Sequence, residues 1–303
     1  MITIGTDCSG IDAPIQALLQ LGISFRHLFS CEKDKYCIET LLANYHPERL
    51  DTDITTRDPR TLPHIDIYVC GFPCQPFSYA GNRQGEDDEK GRGHIFWYCM
   101  EVIRHTKPMC VLLENVKGLL TIDNGNTFDT IVNELEKLSY YVDWNVLNTK
   151  DYGIPQHRER LYIVALHSSI KKNSFVWPEP IPMNKLKHYI DKTDKESQPI
   201  PDFIKRHKTL HYIPNQSCFI DIGFPHATFP NSDLVCPCIT TQGNIWCVPY
   251  QRKANCKECL ALQGFPIDFK QVVSDRQFKK QIGNSMSVNV LKELFTSILP
   301  LIK

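Results

Sequence analysis

A cysteine between two prolines, in the run Pro73-Cys74-Gln75-Pro76, is the residue of this sequence best placed to act as a nucleophile. It follows an apolar run at 65–70 that predicts a buried parallel strand, so we expect Cys74 at the carboxyl end of that strand. The prolines stiffen the backbone, and a thiolate is the reactive form of cysteine. The alternative is a buried structural cysteine, the commoner fate of this residue type.

Acidic and basic side chains follow further along the chain. Glu114 stands where the next β-rich run, 109–113, ends, and an acid at that edge suits a proton donor or a hydrogen-bond partner. Gln156, Arg158 and Arg160 alternate on the approach to a later strand, which would place all three on one wall of a site. A helix-capping glutamate and a solvated edge strand are the alternatives that these residues alone leave open.

The first loop, at 7–13, connects a predicted strand to a predicted helix. In α/β folds this position binds nucleotides or related ligands through backbone N–H groups. Gly10 is the only glycine in the loop, so a plain tight turn is the simpler explanation of the loop alone. Glu32 ends the second predicted strand, where an acid can accept hydrogen bonds from ribose hydroxyls. An exposed acid near a helix start is the alternative.

The elements that must position these residues alternate through the first half of the chain. Strands are predicted at 2–6, 25–31, 65–70, 109–113, 140–147 and 160–166, and helices at 12–21, 33–44, 95–105 and 128–138. This alternation predicts an α/β fold with a doubly wound, mostly parallel sheet that binds its ligand at the carboxyl ends of the strands.

The second half is less regular. Residues 171–250 are rich in proline, histidine and lysine and predict a smaller, irregular domain. An apolar helical stripe then consists of Val290, Leu291, Leu294, Phe295, Ile298 and Leu299. The stripe requires an apolar partner, which we expect to be the sheet. The chain is therefore predicted to divide into 1–170 and 171–274, with 275–303 returning to the first domain.

The composition argues against a disordered chain and against a membrane-spanning one. The 303 residues include 34 Lys and Arg against 34 Asp and Glu, with 42% hydrophobic and 22% charged residues, which is typical of a globular chain and not of a disordered one. No apolar run reaches the ~18 residues of a membrane span, and the first residues do not resemble a signal peptide. A neutral total still allows a basic groove that binds nucleic acid.

In order and spacing, the motifs resemble those of the cytosine-C5 DNA methyltransferases over nearly the whole chain. They are Pro73-Cys74-Gln75, Glu114-Asn115-Val116, Gln156-x-Arg158-x-Arg160, Leu262-Gln263-Gly264-Phe265-Pro266 and Gln281-Ile282-Gly283-Asn284-Ser285. The run Cys8-Ser9-Gly10-Ile11 is similar to a variant of that family's cofactor loop. The resemblance implies a class I methyltransferase-like fold, S-adenosylmethionine as cofactor, and a target-recognition domain at 171–274.

The resemblance also implies the chemistry. Cys74 would add to C6 of cytosine so that C5 becomes nucleophilic, and Glu114 would hydrogen-bond N3 and the amino group. Arg160 would bind O2, Arg158 would hold the loop and the acid, and Asn115 would anchor the cysteine loop. Because C6 is inaccessible inside a duplex, the base must be flipped into the pocket.

The resemblance assigns binding residues as well. The cofactor site would consist of Cys8, Gly10, Ile11, Glu32, Lys33, Asp53, Ile54, Pro73, Ile95, Asn284 and Ser285. The contacts to double-stranded DNA would come from Gln75, Ser78, Arg83, Arg92 and Gln156. Glu32 would bind the ribose, Lys33 would flank the adenine, and Asp53 would accept from the adenine amino group.

The chain departs from the family pattern in two places. Asp12 and Ala13 stand where the family usually has glycines, and we expect Asp12 to turn away from the ligand as the N-cap of the first helix. The acidic run 86–89 lies within the loop expected to close over DNA, and we expect it to face solvent.

The cysteines raise the question of a metal. The sequence has 13 of them in 303 residues, a density far below that of a disulfide scaffold, and we expect reduced thiols in a cytosolic protein. Five cysteines lie between positions 236 and 259, and Cys256 and Cys259 have zinc-type spacing. We expect no metal, because the family has an ordinary helix at 256–262.

Two alternatives remain at this point. One is the RNA-methylating branch of the same fold, which the run Glu114-Asn115-Val116-Lys117-Gly118 resembles, although Gln-x-Arg-x-Arg is the DNA type. The other is a catalytically silent DNA-binding relative, against which the presence of Cys74, Glu114 and Arg160 argues. We expect a monomer without membrane contact, located in the cytoplasm with the nucleoid, or in the nucleus or a viral factory if the source is eukaryotic or viral.

Overall fold

The computed structural model describes residues 1–73, 95–172, 174–199, 219–223 and 235–302. Its main sheet consists, in chain order, of β1 (Ile2–Asp7), β2 (Phe25–Cys31), β3 (Arg49–Asp51), β4 (Ile67–Cys70), β5 (Cys110–Val116), β6 (Tyr140–Asn148) and β7 (Glu159–His167). The strand order is β3-β2-β1-β4-β5-β7-β6, and neighbours are parallel except where β7 lies between β5 and β6. The predicted doubly wound, mostly parallel sheet is confirmed.

Helices cover both faces of this sheet. They are α1 (Ala13–Gln20), α2 (Lys35–Asn44), α3 (Ile95–Thr106), α4 (Asn126–Lys137), α5 (Cys256–Leu262), α6 (Asp275–Asn284) and α7 (Val288–Ile298). Successive side chains of β4 point to opposite faces of the sheet. Ile67 and Val69 belong to the apolar cluster beneath α1 and α7, whereas Tyr68 and Cys70 belong to the cluster beneath α3 and α4. In the described ranges, no helix combines the length and apolar character needed to cross a membrane.

The last helix returns to the sheet. The apolar stripe of α7 is buried, and the helix packs chiefly against α1. Leu291, Leu294 and Phe295 share one hydrophobic cluster with Ile4 of β1. The stripe is therefore buried with α1 as its main partner, and the sheet, the partner expected from the sequence, shares the same cluster through Ile4.

A small antiparallel sheet lies within the range 171–274, which the sequence predicts to be a second, irregular domain. It consists of β8 (Phe219–Asp221), β9 (Ile245–Cys247) and β10 (Arg252–Lys253), in the order β10-β9-β8. The buried Arg252 guanidinium donates to both carboxylate oxygens of Glu258 at 2.7 and 2.8 Å and to the carbonyls of Asp191 and Asp194. A buried arginine with these partners ties three separate stretches of the chain together.

The structure differs from the sequence-based prediction at two strands. The prediction omits β3, whose three residues are too few to show a periodic pattern. The strand β7 begins at Glu159, so Gln156 lies before it and forms an isolated parallel bridge with Cys236. The prediction that Gln156 and Arg158 belong to this strand is therefore wrong, although Gln156, Arg158 and Arg160 all reach the segment 238–239.

Candidate active site

A cleft opens at the carboxyl ends of β1, β4 and β5, where the strand order reverses between β1 and β4. It is lined by Thr6, Asp7, Cys8, Ser9, Gly10, Ala13, Pro14, Val69, Gly71, Glu114, Asn284, Ser285 and Met286. The fold thus brings the first loop, the end of β4, the predicted acid and the C-terminal motif to one place. Five residues assigned to the site from the sequence line this cleft: Cys8, Gly10, Glu114, Asn284 and Ser285.

Glu32 reaches the first loop from the end of β2. Its Oε2 accepts a hydrogen bond from the Gly10 N–H at 2.8 Å, and its Oε1 accepts one from the Asp34 N–H at 2.8 Å. Asp34 in turn caps α2 by accepting from the Tyr36 N–H. The Glu32 carboxylate is therefore fixed beside the loop, and each oxygen retains capacity to accept from a hydroxyl.

Lys33 and Asp53 form an ion pair at the same edge. Lys33 Nζ donates to Asp53 Oδ2 at 2.8 Å, and Oδ1 accepts from the Thr55 N–H and hydroxyl. The Lys33 hydrogen bond, followed by those of Thr55, lowers the pKa of Asp53 to about 2. Asp53 is thus an anionic acceptor at neutral pH, followed by the buried Ile54. Of the other predicted cofactor residues, Ile11 is fully buried beneath the loop, and Pro73 and Ile95 are the described residues on either side of 74–94.

Glu114 lies buried at the end of β5 with Arg160 beside it. Arg160 Nε lies 3.4 Å from Glu114 Oε1, which has no hydrogen-bond partner in the described ranges. Burial raises the pKa of Glu114, and the guanidinium groups of Arg160 and Arg158 oppose that rise. A buried carboxyl that holds its proton more tightly than usual, with one oxygen free, is suited to share a proton with a ligand.

Arg158 is buried and connects segments that are remote in sequence. Its Nη1 donates to the Ile239 carbonyl at 2.9 Å, and its Nη2 donates to the carbonyls of Gly283 and Ser285 at 3.2 and 2.7 Å. The positive charge of Arg158 lowers the pKa of Glu114, and no hydrogen bond between the two side chains is among the described contacts. Arg158 therefore holds the C-terminal motif at the cleft by hydrogen bonds and acts on the acid at longer range.

Gln156 lies inside the protein. Its Nε2 donates to the Leu262 carbonyl at 2.8 Å and to Gln263 Oε1 at 2.7 Å, and its Oε1 accepts from the Ile239 N–H at 2.9 Å. Because the amide is fully buried and bonded internally, the expected contact between Gln156 and DNA is wrong for this structure. Gln156 instead joins the Leu262–Gln263 motif to the approach of β7.

Asn115 connects the acid-bearing strand to the segment before Cys74. Its Nδ2 donates to the Phe72 carbonyl at 3.0 Å, and its Oδ1 accepts from the Val116 N–H. The rings of Phe72 and Phe96 lie 5.8 Å apart, which brings the two ends of the intervening segment near each other. Cys74 itself lies outside the described residues, as do Gln75, Ser78, Arg83, Arg92 and the acidic run 86–89.

Asp12 does not cap the first helix as expected. It occupies the position before α1 in a left-handed conformation, with φ 59°, and its side chain makes no capping hydrogen bond. Its Oδ2 accepts from the hydroxyls of Ser30 at 2.8 Å and Thr6 at 3.3 Å. The carboxylate turns away from the helix and into a buried polar cluster, so the expectation of a cap is wrong, although Asp12 does turn away from the cleft.

Cys256 and Cys259, the pair with zinc-type spacing, are free thiols. Burial raises the pKa values of Cys256 and Cys259 to about 12, so both remain protonated at neutral pH. Within those ranges, no three His, Cys, Asp or Glu side chains are grouped as a metal ion would require. The helix expected at 256–262 is present as α5.

Two contacts at the site were not predicted. Cys238 Sγ lies 3.5 Å from Arg158 Nη1 and 3.9 Å from Arg160 Nη2, and no local pattern indicates a pairing across about 80 residues. Arg57 donates to both oxygens of Asp7 at 2.8 and 2.6 Å and fixes the end of β1. Nothing in the sequence around Arg57 indicates that its partner is Asp7, 50 residues earlier.

Solved structures share this architecture. Compared with a DNA modification methyltransferase encoded within a prophage (E. coli), the TM-score is 0.75 at 18% identity, covering 100% of this chain and 99% of that one. Compared with the Dnmt2 methyltransferase of S. pombe, the TM-score is 0.68 at 18% identity, covering 99% of both chains. At these identities the likeness establishes the fold alone. The sheet order and the cleft at its switch point define a class I methyltransferase fold.

Sequence comparison then gives the family. The family model "C-5 cytosine-specific DNA methylase" matches residues 7–300. Type II methyltransferase M.NgoBI of Neisseria gonorrhoeae is 37% identical over 272 residues, 88% of this chain and 84% of that protein. M.HaeII of Haemophilus aegyptius is 37% identical over 280 residues, 90% of this chain and 86% of that protein. The chain belongs to the C-5 cytosine-specific DNA methylases, and this is favoured over an RNA-methylating or silent relative.

Proposed function

We propose that this enzyme transfers a methyl group from S-adenosylmethionine to C5 of a cytosine flipped out of a specific sequence in double-stranded DNA. The observation that supports this most directly is the pairing of Arg160 with Glu114, which lines the cleft. A buried, proton-holding carboxyl beside a guanidinium can donate to cytosine N3 while the arginine binds O2. We also propose that the protein acts as a monomer.

The cleft fits the cofactor in chemical terms. Gly10 has open space where a Cβ would lie, so the loop backbone can be approached closely at that point. Glu32 would accept from the ribose hydroxyls, and Asp53 from the adenine amino group. The first loop and the Asn284–Ser285 motif would enclose the methionine end. When bound, S-adenosylmethionine supplies a methyl group on a sulfonium.

The protein residues would make C5 reactive. Cys74 Sγ, as a thiolate, adds to C6. The π electron pair of the C5–C6 double bond then moves to C5, which becomes nucleophilic. Glu114 stabilises this state by holding a proton at N3. As the methyl group bonds to C5, its bond to the sulfonium sulfur breaks and S-adenosylhomocysteine is left. A water molecule then takes the C5 proton, and the C5–C6 double bond re-forms as the C6–S bond breaks. N3 returns its proton to Glu114, and the Cys74 thiolate and 5-methylcytosine are released.

A fluorine at C5 tests this proposal, because it cannot leave as a proton. Long duplex DNA is synthesised with 5-fluorocytosine in place of cytosine, so that every possible target sequence is present. The enzyme with S-adenosylmethionine should form a complex that survives denaturation, and Cys74→Ala should form none. Cys110→Ala is the matched control, since that buried cysteine lies at the opposite end of β5 from Glu114.

The outcomes separate the alternatives. Trapping on 5-fluorocytidine RNA and not on DNA would indicate RNA methylation. No trapping on either, with DNA binding retained, would indicate a silent relative. An adduct mapped to a cysteine other than Cys74 would overturn the assigned nucleophile.

We further propose that residues 171–250 select the target sequence. Exchanging this stretch for that of a relative with another target should move the methylated site. A chimera that still methylates the original sequence would show that specificity lies elsewhere.

A further inference from the structure

The last residue of the loop 8–12, which lines the cofactor cleft, is a buried acid. Asp12 has no exposed surface, and its Oδ2 accepts from the hydroxyls of Ser30 and Thr6. Its Oδ1 has no hydrogen-bond partner within the described part of the chain. Burying a carboxyl in this way is unfavourable unless its bonds compensate, so packing alone does not explain Asp12.

Ser30 and Thr6 donate to the Asp12 carboxylate, and each of them also contacts a further polar side chain. His27 Nε2 lies 2.7 Å from Ser30 Oγ, and Thr6 Oγ1 lies 2.8 Å from Ser9 Oγ. Burial lowers the pKa of His27 to about 4, so the ring is neutral and can donate its N–H to Ser30. Ser30 then donates to Asp12, which is the final acceptor of a chain that joins β1, β2 and the first loop.

The loop above this cluster has an uncommon backbone. Cys8, Gly10 and Asp12 all have positive φ, at 50°, 57° and 59°. Non-glycine residues hold such conformations only where their surroundings fix them. The Asp12 side chain fixes one end of the loop, and Glu32 fixes its centre through the Gly10 N–H.

We propose that Asp12 is a positioning residue of the cofactor site, which holds the loop 8–12 in its binding shape through Thr6 and Ser30 and does so best when ionised. Hydroxyl donors bind a carboxylate more strongly than a neutral acid, so ionisation strengthens the anchor. Because Asp12 does not face the cleft, it acts through the loop. The inference rests on the proposed function, since the ligand meant is S-adenosylmethionine or its product.

The surroundings of Asp12 place its titration near neutral pH. Burial raises the pKa of Asp12 to about 7, the Ser30 and Thr6 hydrogen bonds oppose the rise, and Glu32 adds to it. His27 on β2 remains neutral there, and the pKa of Tyr45, after α2, is raised further above its usual value by burial. Cofactor affinity should therefore increase as pH rises through this range, because ligand binding and ionisation favour each other.

Calorimetric titration of the full chain with S-adenosylhomocysteine tests this inference. Wild type should bind several-fold more tightly at about pH 8.5 than at about pH 6. Asp12→Asn is neutral at both pH values and should bind with the weaker affinity at both. Asp12→Ala should bind about tenfold more weakly than wild type at the higher pH.

Two further variants separate positioning from general stability. Ser30→Ala removes a hydrogen bond that lowers the pKa of Asp12, so the affinity transition should move to higher pH. Asp66→Ala is the matched control: Asp66 accepts from the Thr3 N–H and hydroxyl at 2.8 Å, at the other end of β1. It should reduce stability and leave the affinity and its pH dependence unchanged.

The outcomes distinguish this inference from the proposed function. If wild type binds no S-adenosylhomocysteine, the proposed function fails. If wild type binds it and folded Asp12→Asn has the same affinity and pH dependence, the function stands and the role of Asp12 is overturned. If Asp12→Ala does not fold, the Asp12→Asn and Ser30→Ala measurements still decide the question.

Discussion

The side-chain amide of Asn115 donates to the carbonyl of Phe72 across 3.0 Å and so joins the strand that bears Glu114 to the segment that leads to Cys74. The proposed acid and nucleophile belong to different strands, and β4 and β5 are paired only as far as Cys70 and Leu113. The Asn115 bond continues that connection beyond the last paired residues.

Asn115→Ala should therefore slow methyl transfer and leave cofactor affinity unchanged. Loss of the bond frees the backbone two residues before the nucleophile, and a displacement of about 1 Å can reduce the rate roughly 100-fold. Single-turnover transfer of a labelled methyl group to DNA measures this effect. Asn145→Ala is the matched control, because Asn145 also accepts from the next N–H but is exposed on β6. Equal rates for both variants would contradict the anchoring role.

Arg158→Ala should destabilise the protein strongly. The carbonyls of Ile239 and Gly283 lose the buried arginine donor, whereas that of Ser285 keeps a second donor in Gln263 Nε2 at 2.8 Å. A buried group left unsatisfied costs about 1–3 kcal/mol. Arg26→Ala is the control: its pair with Glu48, at 2.8 Å, lies within the range of the Arg158 bonds but is half exposed, and exposed pairs contribute at most about 1 kcal/mol. Urea denaturation of both variants measures the difference. A change below about 1 kcal/mol for Arg158→Ala would refute its connecting role.

Gly283→Ala should disturb the contact between the C-terminal motif and the segment at 240–241, which lies next to the bonds of Arg158. A Cβ at Gly283 would lie 2.4–2.6 Å from backbone atoms of Thr240 and Thr241, which cannot move as a flexible side chain can. We expect lower stability and weaker cofactor binding, because Asn284 and Ser285 would shift with α6. Thermal unfolding and calorimetry measure these effects. Gly118→Ala is the control, since the one described residue that its Cβ would meet is Val116, at 3.9 Å.

The sequence predicts the sheet and the residues near its carboxyl edge because both depend on short-range patterns. Apolar runs mark β1, β2, β4 and β5, and the ends of parallel strands must share one edge. Asn115 is a different case: its anchoring role followed from the family resemblance, and its bond to Phe72 supports it. The partners of Arg158 and Arg57 could not be predicted, because they lie on segments whose proximity is a property of the whole fold.

Asp12 and Gln156 show where local rules fail. An aspartate before a helix usually caps it, but the left-handed backbone at Asp12 directs the carboxylate to Ser30 instead. A polar residue next to two arginines suggests a surface strand, but the fold closes over Gln156 with α5. In both cases, tertiary hydrogen bonds decided the placement.

The methylation rate should depend on the protonation of Glu114. Burial raises the pKa of this carboxyl, so it holds its proton to higher pH than an exposed glutamate does. If the protonated form assists at N3, kcat/KM should fall as pH rises through that raised pKa. Glu114→Gln should remove this dependence and lower the rate by about 100-fold. Glu159→Gln is the control, since Glu159 forms an exposed pair with Lys117. An unchanged pH profile in Glu114→Gln would count against the assignment.

Asp12 and His27 should give the fold opposite dependences on pH. The pKa of Asp12 rises from 3.8 to about 7 on folding, so its contribution to stability is complete below about pH 3.8 and is lost as pH rises through about 7. The pKa of His27 falls from 6.5 to about 4, so its contribution is complete above about pH 6.5 and is lost as pH falls through about 4. Between about pH 4 and 6.5 the two nearly cancel in wild type.

If either side chain is replaced, the pH dependence of the free energy of unfolding should be that of the remaining group. Relative to wild type, the free energy of unfolding of Asp12→Asn should rise from about pH 4 to 7, by at most about 1.4 kcal/mol per pH unit. The free energy of unfolding of His27→Gln should fall relative to that of wild type from about pH 4 to 6.5. The reason is that the variant lacks the stability that wild type gains in this range from its neutral histidine. Urea denaturation at half-unit steps of pH measures both differences. Curves parallel to wild type for the two variants would show that neither group changes its pKa on folding, and the buried cluster would then have no influence on stability near neutral pH.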